Sequence, residues 1–113
     1  MKTKLLLMFL SVAVLLSSFA YAVSYSFDTG KITTLFASQS GSIAITLDGG
    51  FPNATAASQC PTSSNGWAGN AQPSNTLKAA LMMAKATNAT VTITTQGCEG
   101  NGGWLKIIDM YIK

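Results

Sequence analysis

The chain has 113 residues with seven lysines, four acidic residues, no histidine and no arginine. That set excludes Ser-His-Asp and Cys-His catalysis, imidazole metal ligation, and the bidentate guanidinium fork for phosphate or carboxylate. Four scattered acids are a thin supply for paired-carboxylate chemistry, so the expectation is a protein that binds and does not catalyse, with no metal and no cofactor.

Residues 1–22 read as an export signal: Lys2 and Lys4, then the apolar run Leu5 to Phe19, then the small-x-small motif Ala20-Tyr21-Ala22. Cleavage there would start the mature chain at Val23, in a secreted or periplasmic, oxidising setting. Lys2 and Lys4 leave with the signal. Lys31, Lys78, Lys85, Lys106 and Lys113 remain against Asp28, Asp48, Glu99 and Asp109, a net of one positive charge. A nucleic-acid partner needs clustered phosphate-binding charge and is not expected. No second apolar run is long enough to span a bilayer, so no membrane association is expected after cleavage. Residues 23–113 suffice for one small domain, whose core is marginal without a staple. Cys60 and Cys98 are the only cysteines. An intramolecular bridge is the simplest reading and is worth roughly 4 kcal/mol on the chain-entropy model, with an intermolecular bridge or a redox pair as the alternatives.

In chain order, Thr29–Phe36 is β-branched and aromatic and predicts a strand, with Gly30 marking a bend or bulge. Ala37 to Gly41 is a turn. Ser42–Leu47 alternates, with Ile43, Ile45 and Leu47 on one face, which predicts a hairpin with the first strand. From Asp48 to Pro73 a long polar, glycine- and proline-bearing connection follows, in which Gly66–Gly69 forms a short strand anchored by Trp67. A helix opens at Pro73-Ser74-Asn75, with Ser74 or Asn75 as N-cap. Leu77, Ala80, Leu81 and Ala84 form its apolar stripe, and Asn88 stops it. Thr90–Thr95 predicts a strand with Val91 and Ile93 on one face and Thr90, Thr92 and Thr94 on the other. Residues 96–103 are a glycine-rich loop. In the last strand, Trp104–Ile112, Trp104, Ile108, Met110 and Ile112 share one face, and Leu105, Ile107, Asp109 and Tyr111 the other. Neither glycine-rich stretch matches a phosphate-cradling motif, so both read as turns.

Three strands, a helix and two strands (β-β-β-α-β-β) is the order of a small OB-like five-stranded barrel, mainly β with one helix. The layout Gly30-Lys31-Ile32, Ile43 to Leu47, Cys60, the helix Leu77 to Ala86, Val91-Thr92-Ile93, Gly97-Cys98 and a closing strand through Ile112 resembles small secreted bacterial proteins that include the binding subunits of AB5 toxins, of the subtilase-cytotoxin and pertussis type. The resemblance implies a barrel stapled between Cys60 and Cys98, a ring of five copies, and a cell-surface glycan as ligand.

A sugar site needs an aromatic face with amide and hydroxyl partners beside it. Two groups offer that set: Trp67 with Asn65 and Asn70, and Trp104 with Asn101. The alternative function is a secreted or periplasmic protein-interaction or inhibitor module without carbohydrate binding. For self-association, Lys78, Met82 and Lys85 share one helix face at i, i+4, i+7, and Tyr111 lies on the two-sided last strand. The sequons at Asn53 and Asn88 are expected to be incidental in a bacterial protein.

Overall fold

The computed structural model describes residues 24–63, 66–99 and 103–113; the export signal expected over residues 1–22 lies outside them. Five strands form one sheet: β1 (Ser26–Ala37), β2 (Ile43–Leu47), β3 (Ala68–Asn70), β4 (Thr90–Glu99) and β5 (Trp104–Ile112). A short helix, α1 (Pro52–Ala56), follows β2, and the main helix, α2 (Asn75–Thr87), lies between β3 and β4. The strand order β1-β2-β3-β5-β4 closes on itself because β4 also pairs with β1. Every pairing is antiparallel except β3 with β5.

Period-two alternation sends Ile32, Ile43, Ile45, Leu47, Val91, Ile93, Leu105 and Ile107 inward, where they are buried together. The helical stripe does its expected work, since Leu81 and Ala84 are fully buried against this core and Leu77 packs beside them. Ser74 is the N-cap, its Oγ accepting from the Leu77 N–H at 3.1 Å. Asn88 ends the helix in the left-handed conformation at φ 55°. Cys60 and Cys98 are bridged within the chain, with 5.0 Å between their Cα atoms.

Four features differ from the sequence-based expectation. First, β1 begins at Ser26 and not at Thr29, because Ser26 and Phe27 pair with Thr95 and Thr94 of β4. Gly30 is not its bulge, which falls between Ile32 and Thr34. The space a Gly30 side chain would take is filled by the Asp48 carboxylate, which accepts from the Lys31 and Gly49 N–H groups at 3.0 and 2.9 Å. Second, the long connection contains α1. Its first turn is held by Asp28, only 2 % exposed, whose carboxylate accepts from the Asn53 and Ala54 N–H groups at 2.8 and 3.1 Å.

Third, β4 continues through the predicted loop to Glu99. Fourth, β5 carries one extra residue opposite the Thr94–Thr95 step, since Thr94 pairs with Asp109 but Thr95 with Ile107. That bulge at Ile108 resets the phase. Leu105, Ile107 and Met110 face the core, whereas Trp104 faces outward, so Trp104 and Met110 do not share a face.

Candidate functional site

The sequence places four small or aromatic residues side by side on the outer surface of the sheet. Register pairs Phe36 with Ala44 and Ala44 with Gly69, and Gly69 with Lys106 of β5. Trp104 precedes Lys106 by two residues and so shares its face. The indole lies across Gly69: a Cβ there would sit 2.6 Å from Trp104 Cε3 and 2.8 Å from the Ala44 Cβ. Ala44 is 0 % exposed although it faces away from the core. The ring of Phe36 meets that of Trp104 edge-on, with centroids 5.8 Å apart and planes at 61°. Phe36 remains 43 % exposed and Trp104 is half-buried, so the pair presents an aromatic surface to solvent.

Hydroxyls border this surface. Thr34 and Thr46 are register partners next to the Phe36–Ala44 pair, and Thr46 Oγ1 lies 2.7 Å from Thr33 Oγ1. The turn from Ser38 to Ser42 adds three serines whose hydroxyls bond among themselves.

Of the residues proposed for sugar contact, Trp104 lies in this patch. Trp67 is half-buried and directly precedes β3; its carbonyl accepts from the Leu105 N–H at 3.1 Å, which sets it beside Trp104 in the parallel ladder. Asn70 belongs to the framework. Its Nδ2 donates to the Ile107 carbonyl at 3.0 Å and its Oδ1 accepts from the Gln72 N–H at 2.9 Å, so both ends of the amide are already engaged. Asn65 and Asn101 lie outside the described residues. Phe36 was missed; its only signal was its place at the end of an aromatic-containing strand, and the bulge after Ile32 is what turns it outward.

The residues proposed for self-association divide. Met82 and Lys85 are exposed on α2 beside Met83, and Tyr111 is exposed on β5. Lys78 instead reaches the β1–β2 turn, its Nζ 3.5 Å from where a Gly41 Cβ would stand. Asn53 donates to the Phe27 carbonyl at 2.6 Å and Asn88 caps α2, so both sequon asparagines have structural roles.

Among the described residues no group of three or more His, Cys, Asp or Glu side chains is gathered to hold a metal ion, and no helix is long and apolar enough to cross a membrane. No protein-family model, curated protein or solved structure matches the chain.

Proposed function

We propose that this chain is a secreted, non-catalytic binding protein built as an OB-like barrel, and that it recognises glycans through the Phe36–Trp104 surface. The observation that carries the reading is the indole of Trp104 spread over Ala44 and Gly69 with Phe36 edge-on beside it. Sugar rings stack their C–H faces on aromatic surfaces and spend their hydroxyls on polar neighbours, here the threonines and serines along the border. The closed five-strand order with the main helix between β3 and β4 supports the OB-like reading. OB-folds bind oligosaccharides and oligonucleotides on the face of strands 2 and 3, and the Ala44 and Gly69 floor of this patch, on β2 and β3, supports the same use here. The chain carries a net charge of +3, and residues 23–113 alone, with five Lys against four Asp and Glu, would carry +1; a balance this small favours the sugar over the nucleic acid. The Cys60–Cys98 bridge suits an oxidising compartment.

The test is a glycan array probed with the oxidised protein and with Phe36→Ala and Trp104→Ala. Specific glycans bind, and each substitution weakens them about tenfold, the equivalent of ~1.4 kcal/mol from one lost stacking contact. An array without hits, together with a specific protein recovered by pull-down, would replace this reading with the protein-interaction module.

The same proposal includes association into a ring, five copies by the resemblance, through the α2 face of Met82 and Lys85 and through Tyr111. The exposure of Met82, Met83, Tyr111 and Ile112, between 43 and 57 %, supports it. Light scattering returns a multiple of the chain mass that Met82→Glu reduces. A monomer across the whole concentration range removes this part of the proposal.

A further inference from the structure

We infer that the cleft beside the Cys60–Cys98 bridge is a second sugar site, one that takes a single neutral pyranose ring; the inference rests on the glycan reading above. The cleft measures about 230 Å³ and lies between α1, the segment that follows it, and the start of β5. Sites that enclose drug-sized ligands run to roughly 300–1,000 Å³, so this one is sized for one ring.

Its lining combines two chemistries. Pro61 provides exposed apolar surface, with the buried Leu105 and Ala54 behind it, and the hydroxyl-bearing Thr55, Ser58 and Ser63 are among the lining residues. Thr55 Oγ1 already donates to the Phe51 carbonyl at 2.8 Å, so it offers a ligand an acceptor. A pyranose has the matching form, with a C–H face and a rim of hydroxyls that both donate and accept. Among the described residues that line the cleft there is no Asp, Glu or Lys. A carboxylate or ammonium placed there would lose water without gaining a counter-charge, which selects for a neutral ring.

The walls are held in place before any ligand arrives. Gln59, 6 % exposed, is bound at both ends: its Nε2 donates to Ser26 Oγ at 2.9 Å and to the Ser24 carbonyl, and its Oε1 accepts from the Gly97 N–H at 3.0 Å. Cys60 is tied to Cys98, and Asp28 fixes α1. Ser58, at φ +51°, is the left-handed residue that ends α1, where the Ser58 and Gln59 N–H groups donate to the Thr55 and Ala54 carbonyls at 3.0 and 3.1 Å. Gly66, also in the lining, stands at φ +77°, a left-handed conformation that favours glycine. Preorganised walls spare a weak ligand the cost of ordering them.

Gly66 is followed by Trp67, and Leu105 follows Trp104. Successive side chains on a strand point to opposite faces, Leu105 to the core side and Trp104 outward, so the cleft and the patch share two chain segments but are separate sites on opposite sides of β5.

The experiment is an amide NMR titration of the oxidised protein with the methyl glycosides of glucose, galactose, mannose and N-acetylglucosamine, and separately with glucuronate. A ligand of one ring implies a Kd on the order of a few millimolar. At least one neutral glycoside at about 20 mM gives saturable shifts at Thr55, Ser58 and Ser63, and glucuronate binds at least tenfold more weakly. Ser63→Trp fills the cleft and abolishes those shifts, while Phe36→Ala leaves them in place. Thr55→Val, which keeps the side-chain volume, weakens them if Ser63→Trp does not fold. Shifts confined to Phe36 and Trp104 overturn the cleft and leave the glycan reading standing. No shift anywhere overturns both, and equal binding of glucuronate overturns the selection for a neutral ring.

Discussion

Gly69→Ala lowers stability by about 3 kcal/mol, at the upper end for overpacking by one methyl group. The added Cβ would lie 2.6 Å from the Ile43 carbonyl oxygen, 2.6 Å from Trp104 Cε3 and 2.8 Å from the Ala44 Cβ. Only the indole can move away. The carbonyl belongs to the β2 ladder that pairs Ile43 with Asn70, and Ala44 is fully buried, so yielding there means breaking the β2–β3 pairing. The midpoint of thermal unfolding should fall by on the order of 15 °C. The displaced indole becomes more solvated, so tryptophan emission moves to the red even well below the transition. In a Trp104→Ala background the same substitution costs less but is not neutral, because the carbonyl clash persists; the difference measures the Trp104 share. A Gly69→Ala protein within 0.5 kcal/mol of wild type, with unshifted emission, would show that the indole does not rest on Gly69 and would remove the basis for the aromatic patch.

That patch was half legible in the sequence. Trp104 stands out as a large aromatic at the start of a strand, and Gly66 to Gly69 as a short strand near a tryptophan, but nothing local says that one covers the other across 35 positions of chain. Their meeting depends on the parallel pairing of β3 with β5, a long-range event with no local signal. Elements whose cause is local are legible: the cap at Ser74 or Asn75, which falls on Ser74, the Leu81–Ala84 stripe, the Asn88 stop and the shared face of Ile43, Ile45 and Leu47, which is the inward one. Elements whose cause is distant are not. Helix α1 has Pro52 in its first turn as its only local sign, and its cap is Asp28 on another strand. The bulge at Ile108 inverts a face assignment that strict alternation had made for the whole of β5. The glycine-rich residues up to Glu99 joined β4 because β5 and the Cys60–Cys98 bridge hold them, not because their composition favours a strand.

Replacing both cysteines by alanine costs about 4 kcal/mol, and most of the loss comes from the unfolded chain. The bridge spans 38 positions, so removing it frees a long closed loop in the denatured ensemble. In the native state the same two segments are also joined one residue away, where Gln59 Oε1 accepts from the Gly97 N–H at 3.0 Å and Gln59 Nε2 anchors to Ser26. Asp28 holds α1 independently. The alanine variant therefore keeps its native amide spectrum around Ser58, Gln59 and Gly97 while its thermal midpoint falls by on the order of 20 °C. Its denaturant m-value rises, because an uncrosslinked chain exposes more surface on unfolding. Gln59→Ala separates the two contributions. With the bridge intact it is modest, since the bridge keeps the segments together; without the bridge it also disorders the cleft, so the two changes together cost more than their sum. Strict additivity, or a cysteine-free protein whose spectrum around Gln59 is already lost, would mean that the disulfide alone shapes this end of the sheet and that the hydrogen bonds merely follow it.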